Sequence, residues 1–167
     1  MNLLRATVTA ACCVWIANGC SLLTGVACPT HGRPADQTGR ATITQGITGN
    51  VWFSEGDFMP TANVCGSSGT ITPVVRTILV YQPPVPRGAY TILVDSLPAV
   101  PLDSVRSDAT GFFELTLPAG FYSIVVREGS QLYVNVPTLG AGFVGAIEVK
   151  AAAVTKVPVD INYKATY

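Results

Sequence analysis

Apolar and polar residues alternate along several short stretches of the chain, which is the two-residue period of a half-buried β-strand. In the first of these stretches Ile47, Val51 and Phe53 share one face, and Trp52 lies on the other. The last stretch, residues 155–164, alternates in the same way. No stretch has a long apolar stripe with helical spacing, so the pattern predicts an all-β protein.

Residues 108–128 show the clearest pattern in the chain. Asp108 suits the start of a tight turn, and Gly111 suits a turn position with positive φ. Residues 118–120 form a second turn signal between two alternating stretches. The side chains expected to face inward on these stretches are Phe113, Leu115, Leu117, Tyr122, Ile124 and Val126. This arrangement predicts a β-hairpin.

Other segments indicate where strands lie within the sheets. Residues 74–81 are apolar on both faces apart from Arg76 and its neighbour, which is typical of a central strand, and we expect Arg76 to form an ion pair or to lie at an edge. Pro158 in the last strand indicates an edge position. About seven short strands with frequent turns predict a single antiparallel, Ig-like β-sandwich.

The N-terminus has the organisation of a secretory signal peptide. Residues 1–19 hold one positive charge, then an apolar run, then small residues before a cut site. The apolar run, residues 6–17, is too short for a stable membrane span. Ala17-Asn18-Gly19-Cys20 resembles the bacterial lipobox, whose cysteine becomes the lipid-modified first residue. We expect Cys20 to carry lipid, and the alternative is an ordinary signal peptide cut nearby.

Residues 20–45 contain scattered glycine, proline and polar residues without periodicity, which predicts a flexible tether. The chain has five cysteines, two of which would leave with the signal peptide. If Cys20 carries lipid, Cys28 and Cys65 remain as an even pair in an oxidising compartment. Either these two form a disulfide or they are unrelated thiols, and the sequence leaves both interpretations open.

Composition and charge narrow the function classes. Charged residues make up 12% of the chain, hydrophobic residues make up 49%, and the formal net charge is zero. Such an apolar chain is expected to fold rather than stay disordered. The basic residues form no patch or stripe, so we expect no nucleic-acid partner.

The chain offers few residues for catalysis or metal binding. His31 is the only histidine and lies in the predicted tether. Glu55 and Asp57 share a predicted loop, but two carboxylates alone are a weak signal for calcium, and a zinc site needs clustered cysteine or histidine. We therefore expect no catalytic residue, no metal and no cofactor.

Trp52 is the one candidate ligand contact. Beside Asn50, on the polar face of the first strand, it is positioned to stack on a sugar ring. It is equally positioned to pack under the loop of residues 54–73, against Phe58 and Met59. The packed interpretation is favoured, and carbohydrate binding is the alternative.

Two linked motifs resemble a known family. Asp108-Ala-Thr-Gly111-Phe-Phe113 and Leu117-Pro118-Ala-Gly120-Phe-Tyr122 resemble the D-x-x-G-x-F and L-P-x-G-x-Y patterns of carboxypeptidase regulatory-like domains. The resemblance covers about residues 46–167 and implies a transthyretin-type, or prealbumin-like, sandwich that serves as an accessory module. It also extends to small envelope lipoproteins of Bacteroidota-type bacteria. Transthyretin-like folds include a hydroxyisourate hydrolase that uses several histidines, and residues 46–167 contain none.

The sequence thus predicts a signal peptide (1–19), a lipidated Cys20 with a tether (20–45) and a β-sandwich domain (46–167). The expected protein is a non-enzymatic envelope lipoprotein whose domain contacts another envelope protein or gives structural support. The alternative is a carbohydrate-binding envelope lipoprotein with a glycan partner. By resemblance, Ser21 in place of an aspartate points to the outer membrane, and the lack of acidic residues after it points to the periplasmic side.

Overall fold

The computed structural model describes residues 32–59, 66–136 and 142–167. Within these ranges the chain forms strands in two sheets, with one short 3₁₀ turn at Thr38–Arg40. No helix in the described part of the chain is long and apolar enough to cross a membrane. The predicted all-β sandwich is confirmed.

The described residues form more and shorter strands than the seven or so expected. They are β1 (Gly46–Asp57), β2 (Thr70–Pro73), β3 (Thr77–Tyr81), β4 (Leu93–Val94), β5 (Asp103–Arg106), β6 (Phe112–Leu115), β7 (Gly120–Glu128), β8 (Gln131–Tyr133), β9 (Ala146–Val149), β10 (Val154–Lys156) and β11 (Val159–Thr166). Pro158 separates β10 from β11 because proline has no N–H to donate to a ladder.

The long strand β1 is the centre of the five-stranded sheet. Its first half lies between β6 and β10, and its second half lies between β2 and β11. Pairing with β2 and β6 is antiparallel, whereas pairing with β10 and β11 is parallel, so this sheet is mixed. Among the described residues β11 pairs with β1 alone, which agrees with the edge position that Pro158 predicts.

The six-stranded sheet has the order β4-β8-β7-β3-β5, and β9 pairs with the first half of β7. All its pairings are antiparallel, as the sequence predicts. The central position predicted for residues 74–81 is confirmed for β3, which lies between β5 and β7.

The predicted hairpin of residues 108–128 is wrong. β6 pairs with β1 in one sheet, whereas β7 pairs with β3, β8 and β9 in the other. The turn at residues 118–120 therefore carries the chain from one layer of the sandwich to the other. Alternation could not reveal this, because two strands whose apolar faces meet across a core have the same pattern as two neighbours in one sheet. The hairpin in this region is formed by β7 and β8.

The main core fills the space between the sheets. The side chains predicted to face inward do so: Phe113 and Leu117 are 2% exposed, and Tyr122, Ile124 and Val126 are fully buried, while Leu115 is partly buried. A second apolar cluster lies on the opposite face of β3 and β7, where Leu79 and Val125 pack with Val85, which precedes β4, and Leu97, which follows it. Both faces of β3 are therefore covered.

Candidate functional site

Residues 33–45, which we call the N-terminal strap, lie against the outer face of the five-stranded sheet. The backbone N–H of Gln37 donates to Asn50 Oδ1 at 3.1 Å, and Asn50 Nδ2 donates to Asp36 Oδ1 at 2.8 Å. Asp36 also accepts the backbone N–H and the hydroxyl of Thr38, at 2.8 and 3.0 Å. The predicted tether is thus docked on the sheet from Arg33 onward, through polar groups that have no periodic pattern in the sequence.

The second half of the strap is attached to the turn and strand around β6. Arg40 donates to Thr110 Oγ1 at 3.0 Å and forms a salt bridge to Asp108 at 3.1 Å. Thr42 donates its backbone N–H and its hydroxyl to the two carboxylate oxygens of Glu114, at 2.7 and 2.8 Å. These groups are solvent-exposed, so each contact adds modestly to the free energy of unfolding.

The outward-facing residues of β1 are buried, although the alternation predicts a solvent-exposed face. Thr48 is 2% exposed, Asn50 is 1%, Trp52 is 4% and Ser54 is 0%. Two of them, Asn50 and Trp52, contact the strap directly. A strand covered on its polar side by a distant segment cannot be recognised from its own sequence, because that polar pattern is also the pattern of a solvated face.

Trp52 lies beneath Arg33. The guanidinium carbon of Arg33 is 4.6 Å from the centre of the indole ring, and Arg33 Nη2 donates to Asp160 Oδ2 at 2.7 Å. The other carboxylate oxygen of Asp160 accepts the hydroxyl of Ser54 at 2.7 Å. Asp160 is the register partner of Trp52 on β11, so the strap binds an edge strand and β1 together.

The packed position predicted for Trp52 is therefore right, but the expected cover is not. The ring of Phe58 stacks on Tyr167 with ring centres 5.4 Å apart, rather than on Trp52. The reason is that β1 continues to Asp57, which carries Phe58 past the tryptophan.

A small cavity of about 90 Å³ lies beside Trp52 under the strap. Its lining residues are Asp36, Thr38, Asn50, Trp52, Lys156 and Pro158. The indole Nε1 of Trp52 is buried and has no hydrogen-bond partner among the described residues. An unpaired buried donor of this kind costs about 1–3 kcal/mol of stability. At this site, the indole N–H is therefore the donor that most clearly lacks an acceptor among the described residues.

Three carboxylates that hold the strap have lowered pKa values. For Asp36 the main cause is the hydrogen bond from the backbone of Thr38, and for Glu114 it is the hydrogen bond from the backbone of Thr42. The pKa of Asp108 is lowered chiefly by the hydroxyl of Thr110. Each of these hydrogen bonds favours the charged form of the carboxylate, so all three are ionised at neutral pH.

A larger cleft of about 260 Å³ lies on the other side of the molecule, at the outer face of the six-stranded sheet. Its walls are Tyr81, Gln82, Pro83, Pro84, Val85, Pro86, Pro98, Ala99 and Val100. Val100 is 85% exposed at this cleft. Leu102, 55% exposed, follows it and donates its backbone N–H to Val80 at 2.7 Å. No sequence pattern indicated the cleft, because its walls come from two proline-containing segments that stop strands.

Three other residues singled out in the sequence, Arg76, Glu55 and Asp57, have structural roles. Arg76 forms the predicted ion pair: its Nη2 donates to Glu128 Oε1 at 3.0 Å, and that oxygen also accepts the hydroxyl of Tyr163. Glu55 and Asp57 lie in β1 rather than in a loop, and Asp57 accepts the backbone N–H of Met59 at 2.8 Å. In the described ranges no three His, Cys, Asp or Glu side chains are grouped to hold a metal ion.

Several predicted site residues lie outside the described residues. They are the lipid-attachment candidate Cys20, the candidate disulfide pair Cys28 and Cys65, and His31. Their roles stay predictions.

The chain matches no family model, no curated protein and no solved structure. The resemblance to carboxypeptidase regulatory-like domains therefore stays a prediction from the motifs at residues 108–122. The structure itself defines the class of protein, an all-β sandwich with a docked N-terminal strap.

Proposed function

We propose that this chain is a non-enzymatic, lipid-anchored protein of the bacterial cell envelope, whose β-sandwich is an accessory module that binds another envelope protein. The lipobox-like residues before Cys20 and the signal-peptide organisation of residues 1–19 support export and anchoring. The resemblance to carboxypeptidase regulatory-like domains supports an accessory role, although a fold of this kind serves many functions.

The observation that carries the protein-binding proposal is the proline-lined cleft with its exposed apolar rim. Residues 82–100 contain two charged side chains, Arg87 and Asp95, so the surface is uncharged over most of its length. Contiguous exposed apolar surface of this kind marks interaction sites, and the clustering of Val100 and Leu102 beside a cleft distinguishes it from scattered apolar residues.

The walls of the cleft are attached to the body of the domain. Val85 and Leu97, the neighbour of Pro98, pack in the second apolar cluster, and the backbone N–H of Val85 donates to the buried hydroxyl of Ser123 at 2.9 Å. Proline side chains lose little conformational entropy on contact. A preformed apolar cleft fits an apolar side chain from another protein, because little ordering is needed on binding.

The cleft and the strap are on opposite faces of the sandwich. Residues 21–32, between the predicted lipid on Cys20 and the first docked residue, can span at most about 40 Å when fully extended. An anchored domain would therefore stay near the membrane with the cleft on the face away from the strap. This arrangement leaves the cleft free for a neighbouring protein.

The test is crosslinking in the native host. A photo-crosslinking amino acid is placed at position 100, and a second chain carries it at Met59, which is 45% exposed and belongs to the five-stranded sheet side. We expect a reproducible protein adduct from position 100 that Leu102→Asp removes, with no equivalent adduct from position 59. Adducts of equal yield from both positions, or none from position 100 in folded protein, would contradict the proposal.

A further inference from the structure

The strap is held less firmly than the strands it covers. Between residues 33 and 45 only Thr38 has a buried side chain, and it is polar. The other attachments are polar: part-buried hydrogen bonds to Asn50, and exposed hydrogen bonds and salt bridges that include a 3.9 Å pair between Lys156 and Asp36. Segments with few buried apolar contacts and exposed hydrogen bonds open before the core does. The strap is therefore the part of the described chain best suited to detach while both sheets remain intact.

The surface beneath the strap has the composition of a binding platform. Trp52 is central, and Arg33, whose side chain is 48% exposed, lies over its ring. Asn50 and Ser54 share its face on β1, and Asp160 is its register partner on β11. An aromatic ring surrounded by an amide, a hydroxyl and a carboxylate provides one apolar surface and several directional hydrogen bonds.

We propose that this face is a binding site for a neutral saccharide, which the strap covers and which becomes available when the strap detaches. The site goes beyond the protein-binding cleft, which is on the opposite face. The proposal concerns the face defined by Asn50, Trp52, Ser54, Lys156 and Asp160.

Each group on this face has a bonding role that a sugar meets. The carbon-bound hydrogens of a pyranose ring pack on the face of an indole, as Arg33 does in the closed form. Loss of Arg33 frees one oxygen of Asp160 to accept a sugar hydroxyl, and loss of Gln37 and Asp36 frees both ends of the Asn50 amide. Hydroxyl groups both donate and accept, so they satisfy the amide and the carboxylate together.

The unpaired N–H of Trp52 also favours an occupant. In the closed form this donor has no partner among the described residues. A ligand oxygen that reaches this nitrogen would satisfy a donor that the closed form leaves unpaired, and this would favour the occupied site.

The charges disfavour an anionic ligand. After the strap leaves, the carboxylates of Asp160 and Glu114 lose their strap partners, as does Asp108 at the adjoining turn. Lys156 is a cation of the same surface. An anionic polymer would place its charge near these carboxylates, whereas a neutral sugar uses Asp160 and Lys156 through hydrogen bonds.

The experiment compares closed and loosened forms of the full chain in detergent. The sequence has two tryptophans, and each protein carries Trp15→Phe so that Trp52 is the only one left to fluoresce. Arg33→Ala with Asp36→Ala loosens the strap at its first half, and Arg40→Ala with Thr42→Ala loosens it at its second half. Gel retention is measured with three neutral polysaccharides (dextran, mannan and galactan) and with anionic polygalacturonate, after circular dichroism confirms the fold of each variant.

We expect at least tenfold tighter retention on a neutral polysaccharide for the loosened chains than for the parent, and a red-shifted Trp52 emission. Adding Trp52→Leu to a loosened chain should abolish the retention. The proposal is overturned if both folded, loosened chains show the red shift without retention on a neutral polymer, or if they bind polygalacturonate alone. Crosslinking from position 100 should be unchanged in these variants, so failure here leaves the protein-binding proposal to its own test.

Discussion

The guanidinium of Arg33 lies over the indole ring of Trp52, 4.6 Å from the ring centre, while it donates to Asp160 at 2.7 Å. Two residues that the sequence assigns to a flexible tether and to a sheet face are therefore in direct contact. This contact ties the N-terminal strap to β1 and β11 at once.

Replacing Arg33 with alanine should uncover Trp52 without unfolding the domain. The salt bridge is partly exposed and the cation–π contact is single, so we expect a loss of unfolding free energy of about 1 kcal/mol. The emission of Trp52 should shift to the red in the Trp15→Phe background. The matched control is Arg87→Ala, an exposed arginine of the opposite face. Equal emission spectra for the two variants would contradict the strap arrangement.

Acid should release the strap before it unfolds the sandwich. The pKa of Glu114 is lowered chiefly by the backbone N–H of Thr42 in the strap, so this carboxylate stabilises the docked strap above its ordinary pKa of 4.5. The pKa values of Asp36 and Asp108 are lowered chiefly by Thr38 and Thr110, and these carboxylates add their contacts with Asn50 and Arg40 above an ordinary pKa of 3.8. That stabilisation is lost as the pH falls through the lowered values, because protonation removes the charge that accepts the hydrogen bonds.

Hydrogen exchange between about pH 6 and pH 2 checks this order of events. The backbone amides of Gln37 and Thr42, which donate to the sheet, should lose protection at a higher pH than those of β3 and β7. The charged side chains that face the three carboxylates are the cations Arg40 and Lys156. Loss of protection at one common pH for strap and sheets would refute the prediction.

A methyl group at Gly111 should destabilise the domain strongly. Gly111 has φ +79°, and an added Cβ would meet the backbone oxygen of Val51 at a clashing distance. We expect Gly111→Ala to lower the unfolding free energy by about 3 kcal/mol or more. The backbone at Val51 would have to move, and alanine would also be strained at a positive φ. Gly129 has φ +61° with no atom within 4 Å of its added Cβ, so Gly129→Ala should cost about 1 kcal/mol. Urea titration of both variants measures the difference, and equal midpoints would count against the close approach of the two segments.

Removing the thiol of Cys20 should release the protein from membranes. Lipid-modified cysteine anchors through two or more acyl chains, whereas the domain has no described helix that crosses a bilayer. Cys20→Ala should move the protein from the detergent phase to the aqueous phase in a phase-separation assay. Cys12→Ala, within the predicted signal peptide, is the matched control and should leave partitioning unchanged. Detergent partitioning of Cys20→Ala equal to the parent would disprove lipidation at this position.

The local features of this protein follow from its sequence. The turn that begins at Asp108 forms as predicted: Gly111 donates its N–H to the carbonyl of Asp108 at 2.9 Å and has positive φ. The inward faces of β6 and β7 and the ion pairing of Arg76 are also as expected. Such features depend on the types of side chain within a few neighbouring positions, and the sequence gives these types directly.

The assignment of strands to sheets and the cover on β1 were decided by tertiary structure. β6 and β7 have the pattern of a hairpin but belong to opposite layers, and Trp52 lies beneath Arg33 while Phe58 stacks on Tyr167. The partners in the strap contact, Arg33 and Asp160, are 127 residues apart. Alternation shows that one face of a strand is buried. It does not show which segment packs on that face, because the hydrophobic effect is not directional and any apolar partner brought there by the fold can bury it.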